Sequence, residues 1–344
     1  MTLEVLRTGP LATVQDLGRV GHASRGVPPS GAMDPFALQT ANLLVGNGRG
    51  AAAIEIALGG FAVRAIRDCI VALTGADLGA ETGGESAPRW ESFLFEEGRE
   101  ISFAGRRSGV WAYLAIAGGI AVPEVMGSRS TFTRGRFGGL EGRALSPGDR
   151  LEPGACPSLP PVGTRFPLAE IPSYLREARV RVVLGPDEDR FEEEALGVFL
   201  SSAYEVTARS DRMGYRLRGP ALRHRGAADV LTDAVALGSV QVPSDGQPIV
   251  LGPDRPTTGG YAKIATVISA DFPAVAQVPV GGTLSFRAVS VEEAQLSNHT
   301  RPGWSELRRR DPPTAEDPPP CPSARARAPG SPRRCASRGR NRCT

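Results

Sequence analysis

Lysine occurs once in this chain of 344 residues, at position 263, although lysine and arginine together number forty. It lies within DRPTTGGYAKIATVISADFP, Asp254 to Pro273. An ammonium is a compact point donor whose pKa falls readily on burial, whereas a guanidinium stays charged and presents a planar fork. Lysine can therefore carry a proton or clamp a single atom, which arginine cannot. Ahead of it, Asp254 and Arg255 precede Pro256, which biases Arg255 to extended backbone. Thr257 and Thr258 follow, then Gly259 and Gly260, whose missing side chains let backbone N–H groups approach a ligand closely. If Tyr261, Lys263 and Ala265 share one strand face, the ammonium projects beside Tyr261, just beyond the glycine turn. The competing reading is a solvated lysine at a strand end.

Two further stretches concentrate polar residues at turns. TVQDLGRVGHASRGVPPSGAMD holds Gln15, Asp16, Arg19, Ser30 and Asp34. Its PPSG turn leads directly into a capped helix, and a helix N-terminus beside a fixed serine can seat an oxyanion or a carboxylate. Against this, Ser30 and Asp34 can simply satisfy backbone donors. In ARSDRMGYRLRG, Asp211 and Arg212 stand together before a Met-Gly turn. Their adjacency reads as a surface pair or a register lock.

Several chemistries are absent. His22, His224 and His299 share no ligand spacing, so no metal is expected and His-Glu-x-x-His hydrolysis is excluded. Lys263 is followed by isoleucine, which rules out a Walker A loop, and Gly-x-Ser-x-Gly does not occur. A biotinyl lysine is usually flanked by methionine, and Lys263 sits between Ala262 and Ile264. The formal charge of +3 averages two unlike segments. After Gln295 eleven arginines face four acids, leaving the remainder near −4 and giving a nucleic-acid partner no support there. The opening MTLEVLRTGPLATVQDLG lacks the basic start and apolar run of a secretory signal, and no apolar stretch reaches membrane-spanning length. A cytoplasmic protein without a membrane partner is expected. The five cysteines fit neither a metal knuckle nor a disulfide framework.

The elements that must position these residues are mostly strands. DCIVALTGADLGAE, ESFLFEEGREISFAG and GVWAYLAIAGGIAV are β-branched or aromatic runs bounded by glycine. A glycine turn followed by a short apolar strand recurs in EEGREISFAG, SPGDRLEPG and PVGGTLSFRAV, which suggests barrel-like β domains. Two helices are expected. One is capped by Asp34 with Pro35 in its first turn, carries Phe36, Leu43 and Leu44 on its apolar face, and stops at Gly46 or Asn47. The other, PDEDRFEEEALGVFLSSAY, has acids in its first turn. A proline-rich connection near residues 160 to 175 separates the two halves. From about Leu296 the chain has nine prolines, eleven arginines and few large apolar residues. That composition predicts a disordered extension, preferred here over an arginine-rich arm for an acidic partner.

At these clusters the chain resembles a known family. VQDLGRVGHASRGVPPSGAMDPFALQTANLLVGN, AAIEIALGG, LTGAD, RSDRMGYRL and DRPTTGGYAKIATVISADFP, in this order over about residues 3 to 295, resemble the carboxyltransferase family that includes allophanate hydrolase subunit 2, the Kip antagonist and the C subunit of bacterial 5-oxoprolinase. The resemblance implies a mainly β fold of two cyclophilin-like β-barrel subdomains with a few short helices, spanning 1–165 and 166–295, with 296–344 as the tail. It implies one component of an ATP-dependent lactam hydrolase that opens 5-oxo-L-proline to L-glutamate, working with a Kip-inhibitor-like B subunit and an A subunit. On that reading Lys263, Asp254 and Thr258 are the catalytic candidates. Ser30, Asp34, Thr257, Gly259, Gly260, Tyr261, Gln15 and Arg19 are the candidates for holding a small amide substrate. Lys263 with Gly259 and Gly260 would polarise the amide oxygen, where charge develops. Pro256 departs from the glutamine expected there. The alternatives are a carboxyltransferase component acting on carboxybiotin and urea or another amide, with biotin as cofactor, and a regulatory binder of a Kip-inhibitor-like protein.

Overall fold

The structure, a computed structural model, describes residues 2–156 and 161–300. Its first half carries β1 (Leu3–Arg7), β2 (Leu11–Gln15), α1 (Pro35–Leu44), β3 (Ala53–Ala57), β4 (Ala62–Ala65), β5 (Cys69–Asp77), β6 (Ala80–Thr82), β7 (Glu85–Ser86), β8 (Ser92–Phe95), β9 (Glu100–Phe103), β10 (Ser108–Ile116) and β11 (Arg150–Leu151). The second half carries β12 (Glu177–Leu184), α2 (Glu193–Ser201), β13 (Ala203–Val206), β14 (Gly214–Arg218), β15 (Asp229–Ala234), β16 (Ser239–Gln241), β17 (Ile249–Leu251), β18 (Thr258–Tyr261), β19 (Lys263–Val267), α3 (Phe272–Ala276), β20 (Thr283–Ala288) and α4 (Val291–Thr300). The mainly β class with a few short helices is what the sequence leads one to expect.

Strands β11-β1-β4-β9-β6-β7 make one sheet and β2-β3-β10-β5-β8 a second. Leu3, Val5, Val14, Ile54, Ile56, Val63, Ile101 and Leu114 fill the core these two sheets share. Successive side chains on a strand face opposite ways. Ile54 and Ile56 of β3 therefore enter this core, while Ala53 and Ala57 enter a second core beneath α1. Glu55, between them in register, is carried to the second core as well. In β5, Gly75 (φ +79°) meets a shift in the β10 register, and a Cβ there would lie 2.4 Å from the Trp111 carbonyl oxygen. Only glycine fits.

Helix α1 forms as its sequence implies. Asp34 caps it by accepting from the Ala37 N–H at 3.0 Å, Pro35 occupies the first turn, and Gly46 (φ 71°) ends it. Phe36 and Leu44 are buried and Leu43 is half-buried against the same core.

Strands β12-β19-β16-β17-β14-β13-β20 close into a barrel, with β12 and β20 running parallel. Val180, Val182, Tyr204, Val240, Val250, Ile264 and Phe286 fill it. Phe199 of α2 stacks on Phe286, with centroids 4.4 Å apart. The barrel interior and α1 belong to one continuous core, crossed by a hydrogen bond from Trp111 Nε1 to Tyr215 OH at 3.4 Å. Strands β15 and β18 form a separate two-stranded ribbon outside the barrel. Helix α4 runs across position 296, where the sequence places the start of the arginine-rich tail. From residue 301 that tail lies outside the described residues.

Candidate functional site

Where the second core meets the barrel, charge is buried. Arg212, read from the sequence as a surface pair or register lock, is 6% exposed and central to the molecule. Its Nε and Nη2 donate to Asp254 Oδ2 and Oδ1 at 2.9 and 3.2 Å, its Nη1 donates to Glu55 Oε1, and Nη2 also reaches the Gly31 carbonyl at 2.6 Å. The surface expectation fails because closing the barrel brings the β14 turn against β3. Glu55 Oε2 accepts from the Met33 N–H and from Tyr113 OH, both at 2.7 Å. Burial pushes the Glu55 carboxyl up despite Arg212 and these donors. Burial pulls the Arg212 guanidinium down, but Glu55 and Asp254 outweigh it and hold it above its ordinary value. Burial, reinforced by the charges of Glu55 and Asp34, holds the Tyr113 phenol well above its ordinary value.

Asp34 does more than cap α1. Its Oδ2 accepts from Tyr174 OH and Gln277 Nε2, each at 2.9 Å. Gln277 Oε1 in turn accepts the Val110 and Trp111 N–H groups, at 2.7 and 2.9 Å. One carboxylate thus ties α1, the chain before the barrel and α3.

Gln15, Arg19 and Ser30 are buried as well. Arg19 N–H donates to the Pro29 carbonyl at 2.8 Å, and Ser30 N–H to the Pro253 carbonyl at 3.1 Å, beside Asp254. Ser30 adopts φ 55°, a left-handed conformation that costs a residue with a Cβ on the order of 1–2 kcal/mol. Asp16 pins the facing loop through Ser128 Oγ, Ser130 Oγ and the Arg129 N–H. Arg19 is 1% exposed, donates from Nη2 to the Ser130 carbonyl, and lies over the Phe137 ring at 4.9 Å. Burial lowers its pKa, offset in part by Asp16 and Asp254. Gln15 Oε1, Arg19 Nη1 and Ser30 Oγ are all buried without a hydrogen-bond partner. Buried polar atoms are nearly always satisfied. These three are an acceptor, a guanidinium donor and a hydroxyl, each free to take a further hydrogen bond.

The glycine stretch and the lysine form a second group. Thr258, Gly259, Gly260 and Tyr261 make up β18, paired with β15 so that Gly259 faces Asp233. Thr257 precedes them, its carbonyl accepting from the Val235 N–H at 3.2 Å. Tyr261 and Lys263 do not share a strand face, contrary to expectation. The chain changes sheets at Ala262, whose N–H bonds the Ala228 carbonyl, so β18 ends in the ribbon and β19 begins in the barrel. Tyr261 is 41% exposed and Lys263 4%. Lys263 Nζ lies 2.9 Å from Asp233 Oδ2 and 3.8 Å from Asp187 Oδ2, and its N–H donates to Asp187 Oδ2 at 2.9 Å. Lys263 draws the Asp233 carboxyl below its ordinary value. The solvated-lysine alternative also fails, because this ammonium is enclosed.

Asp254 belongs to the first group by its side chain and to the second by its sequence. The two clusters are otherwise built separately. Sequence reasoning missed Glu55, Tyr113, Tyr174 and Gln277. A signal existed for Glu55: an acid inside the apolar run AAIEIA must be buried, hence paired. Among the described residues no group of His, Cys, Asp or Glu could hold a metal ion, and no helix is long and apolar enough to cross a membrane.

Fold and site together define a β protein in which a two-sheet unit and a closed barrel are joined around a buried arginine–carboxylate triad. The chain belongs to the carboxyltransferase domain, subdomain A and B, family, which matches residues 25–288. It is 40% identical over 298 residues to the C subunit of 5-oxoprolinase from Escherichia coli (strain K12), covering 85% of this chain and 93% of that one. The corresponding protein of Haemophilus influenzae is 36% identical over 292 residues, with the same coverage. Urea amidolyase of Saccharomyces cerevisiae is 33% identical over 313 residues, but the match takes in only 17% of it. Among solved structures, the urea amidolyase of K. lactis superposes with a TM-score of 0.85 at 29% identity over 90% of this chain and 20% of that chain. The chain thus spans a fifth of that enzyme's length. Urea carboxylase of Kluyveromyces lactis gives 0.83 at 29% identity, over 90% of this chain and 29% of that one.

Proposed function

We propose that this chain is the C subunit of a cytoplasmic, ATP-dependent 5-oxoprolinase, opening 5-oxo-L-proline to L-glutamate with a Kip-inhibitor-like B subunit and an A subunit. The observation that carries the reading is the correspondence with the 5-oxoprolinase C subunit over 93% of that protein's length, against 17% of urea amidolyase. A lactam resists attack because its nitrogen lone pair is delocalised into the carbonyl. Opening it requires activation at the carbonyl oxygen, addition of water at the carbon, cleavage of the C–N bond and a proton to the departing nitrogen. ATP bound by the complex supplies the activation. The chain has no Gly-Lys-Ser/Thr loop, so it carries no Walker A site of its own.

Arg19 Nη1, Ser30 Oγ and Gln15 Oε1 are the open polar atoms of the buried cluster. Asp34 and Asp254 hold their surroundings through Gln277 and Arg212. Thr257, Thr258, Gly259, Gly260 and Tyr261 belong to the separate ribbon stretch, which Asp254 joins to that cluster along the chain. For Lys263 to polarise the amide oxygen, its ammonium must exchange the exposed Asp233 for substrate. Held where it is, it positions the ribbon that carries those residues.

The test is ATP-dependent glutamate release from 5-oxoproline by this chain with its A and B partners, omitting each in turn. Turnover that needs all three supports the reading. Absence of turnover with folded partners removes it, leaving the biotin-dependent carboxyltransferase favoured by the likeness to urea carboxylase. Biotin's ureido ring, like the lactam, is five-membered with an N–C=O unit.

A further inference from the structure

Outside the cluster just described, the ribbon overhangs the barrel wall. Between them lies a cavity of about 230 Å³ whose polar lining is Arg134, Asp211, Arg216, Gln241 and Tyr261. Strand register builds its floor. Ile249 of β17 pairs with Arg216 of β14 on one side and Gln241 of β16 on the other, so the three stand in one row across the sheet. In the next row Leu251 pairs with Gly214. A Cβ on Gly214 would lie 3.1 Å from Ile249 Cγ2, so the Ile249 side chain covers that position. Ile249, Leu251, Met213 and Pro256 make the rest of the lining apolar.

The polar groups are not equivalent. Arg134 is neutralised by Asp211 at 3.1 Å, and Asp211 is itself fixed by the Met213 and Gly214 N–H groups. Arg216 lines the same cavity from an exposed position and makes no ion pair among the described residues. Gln241 is 5% exposed, and its Nε2 has one long bond, 3.4 Å, to the Tyr261 carbonyl. A Cβ on Gly259 would lie 2.4 Å from that Nε2. Glycine at 259 therefore leaves room for the Gln241 amide, which ties the Gly-Gly motif to this cavity.

We infer that this cleft binds a small cyclic amide bearing a carboxylate, with the Arg216 guanidinium on the carboxylate and the Gln241 side-chain amide paired to the ring amide. Identifying the ligand as 5-oxoproline rests on the function proposed above. A five-membered lactam is locked cis and presents N–H and C=O along one edge. A primary carboxamide offers a donor and an acceptor side by side and matches that edge with two hydrogen bonds. Guanidinium matches a carboxylate. Ile249 and Leu251 take the ring methylenes, and the overhanging Tyr261 limits water.

The experiment measures calorimetric binding of 5-oxo-L-proline to the assembled complex without ATP, and KM in its turnover, for wild type, Arg216→Ala, Arg216→Lys and Gln241→Leu. Each loss should raise Kd and KM about 10- to 100-fold with kcat changed far less. Arg216→Ala should also lose the preference over 2-pyrrolidinone, which lacks the carboxylate, and Arg216→Lys should recover part of it. Gln241→Leu should lose the preference over L-proline, which lacks the ring carbonyl. Gly259→Ala, by displacing Gln241, should copy its phenotype without touching its chemistry. Wild-type turnover with Kd and KM unchanged in Arg216→Ala and Gln241→Leu would overturn the cleft and leave the function standing. A wild-type complex that neither binds nor turns over 5-oxoproline would remove both.

Discussion

Replacing Arg212 by methionine keeps most of the side-chain volume and removes every bond from a guanidinium to Glu55 and Asp254. Glu55 and Asp254, at 1% and 5% exposure, then face each other's charge without a cation. Breaking a buried pair by removing one partner costs about 3–5 kcal/mol, and two stranded carboxylates put this site toward the upper figure. At about 2 °C per kcal/mol for a chain of this size, Tm should fall by about 6–10 °C. The deficit should depend on pH with a defined sign. Glu55 already has its pKa raised above the unfolded value. Such a group favours the fold when protonated, and that contribution is lost as pH rises from the ordinary carboxylate range through the folded pKa. Without Arg212 the folded pKa moves higher still. Measured against wild type by urea denaturation, the variant's deficit should therefore be largest near pH 8 and shrink toward pH 5, as Glu55 takes up a proton. Adding Glu55→Gln to the variant should recover about 1–3 kcal/mol at pH 8, because the amide removes one stranded charge and still accepts from Tyr113 or Met33. A deficit below about 1 kcal/mol, or one of equal size at both pH values, would refute the claim that the triad is electrostatically closed.

Asp34→Ala should cost about 2–3 kcal/mol in urea denaturation, about 1 from the lost helix cap and the rest from the Tyr174 and Gln277 bonds. Lys263→Arg places a fork where a point donor is 4% exposed. It should speed amide hydrogen exchange across β15 and β18 and lower complex turnover while leaving the rest of the fold protected, and Asp233→Asn should give a milder form of the same pattern. Unchanged exchange in both variants would refute the claim that the Lys263–Asp233 pair holds the ribbon. Phe286→Ala, which empties the partner of the stacked Phe199, should destabilise by about 3–5 kcal/mol in the same denaturation assay.

What could be read from the residues was what neighbours along the chain decide. Asp34, Pro35 and Gly46 mark the limits of α1 because capping, a preset φ and a left-handed stop are local backbone properties. The glycine-bounded apolar runs became β5, β8, β9 and β10 for the same reason. Gln15, Arg19 and Ser30 could be singled out by their clustering at turns, yet their open atoms became visible only once Pro29 and Pro253 were in place. Glu55 and Arg212 meet across 157 positions and Asp34 and Gln277 across 243, distances over which sequence carries no register. Arg212 is a central cation instead of a surface one because the barrel closes against β3. Lys263 is enclosed instead of displayed because Ala262 passes the chain from ribbon to barrel. In both cases the residue type was fixed by the sequence. Its partner was decided by which strands pair and in what register, since one step of register moves every side chain to the opposite face.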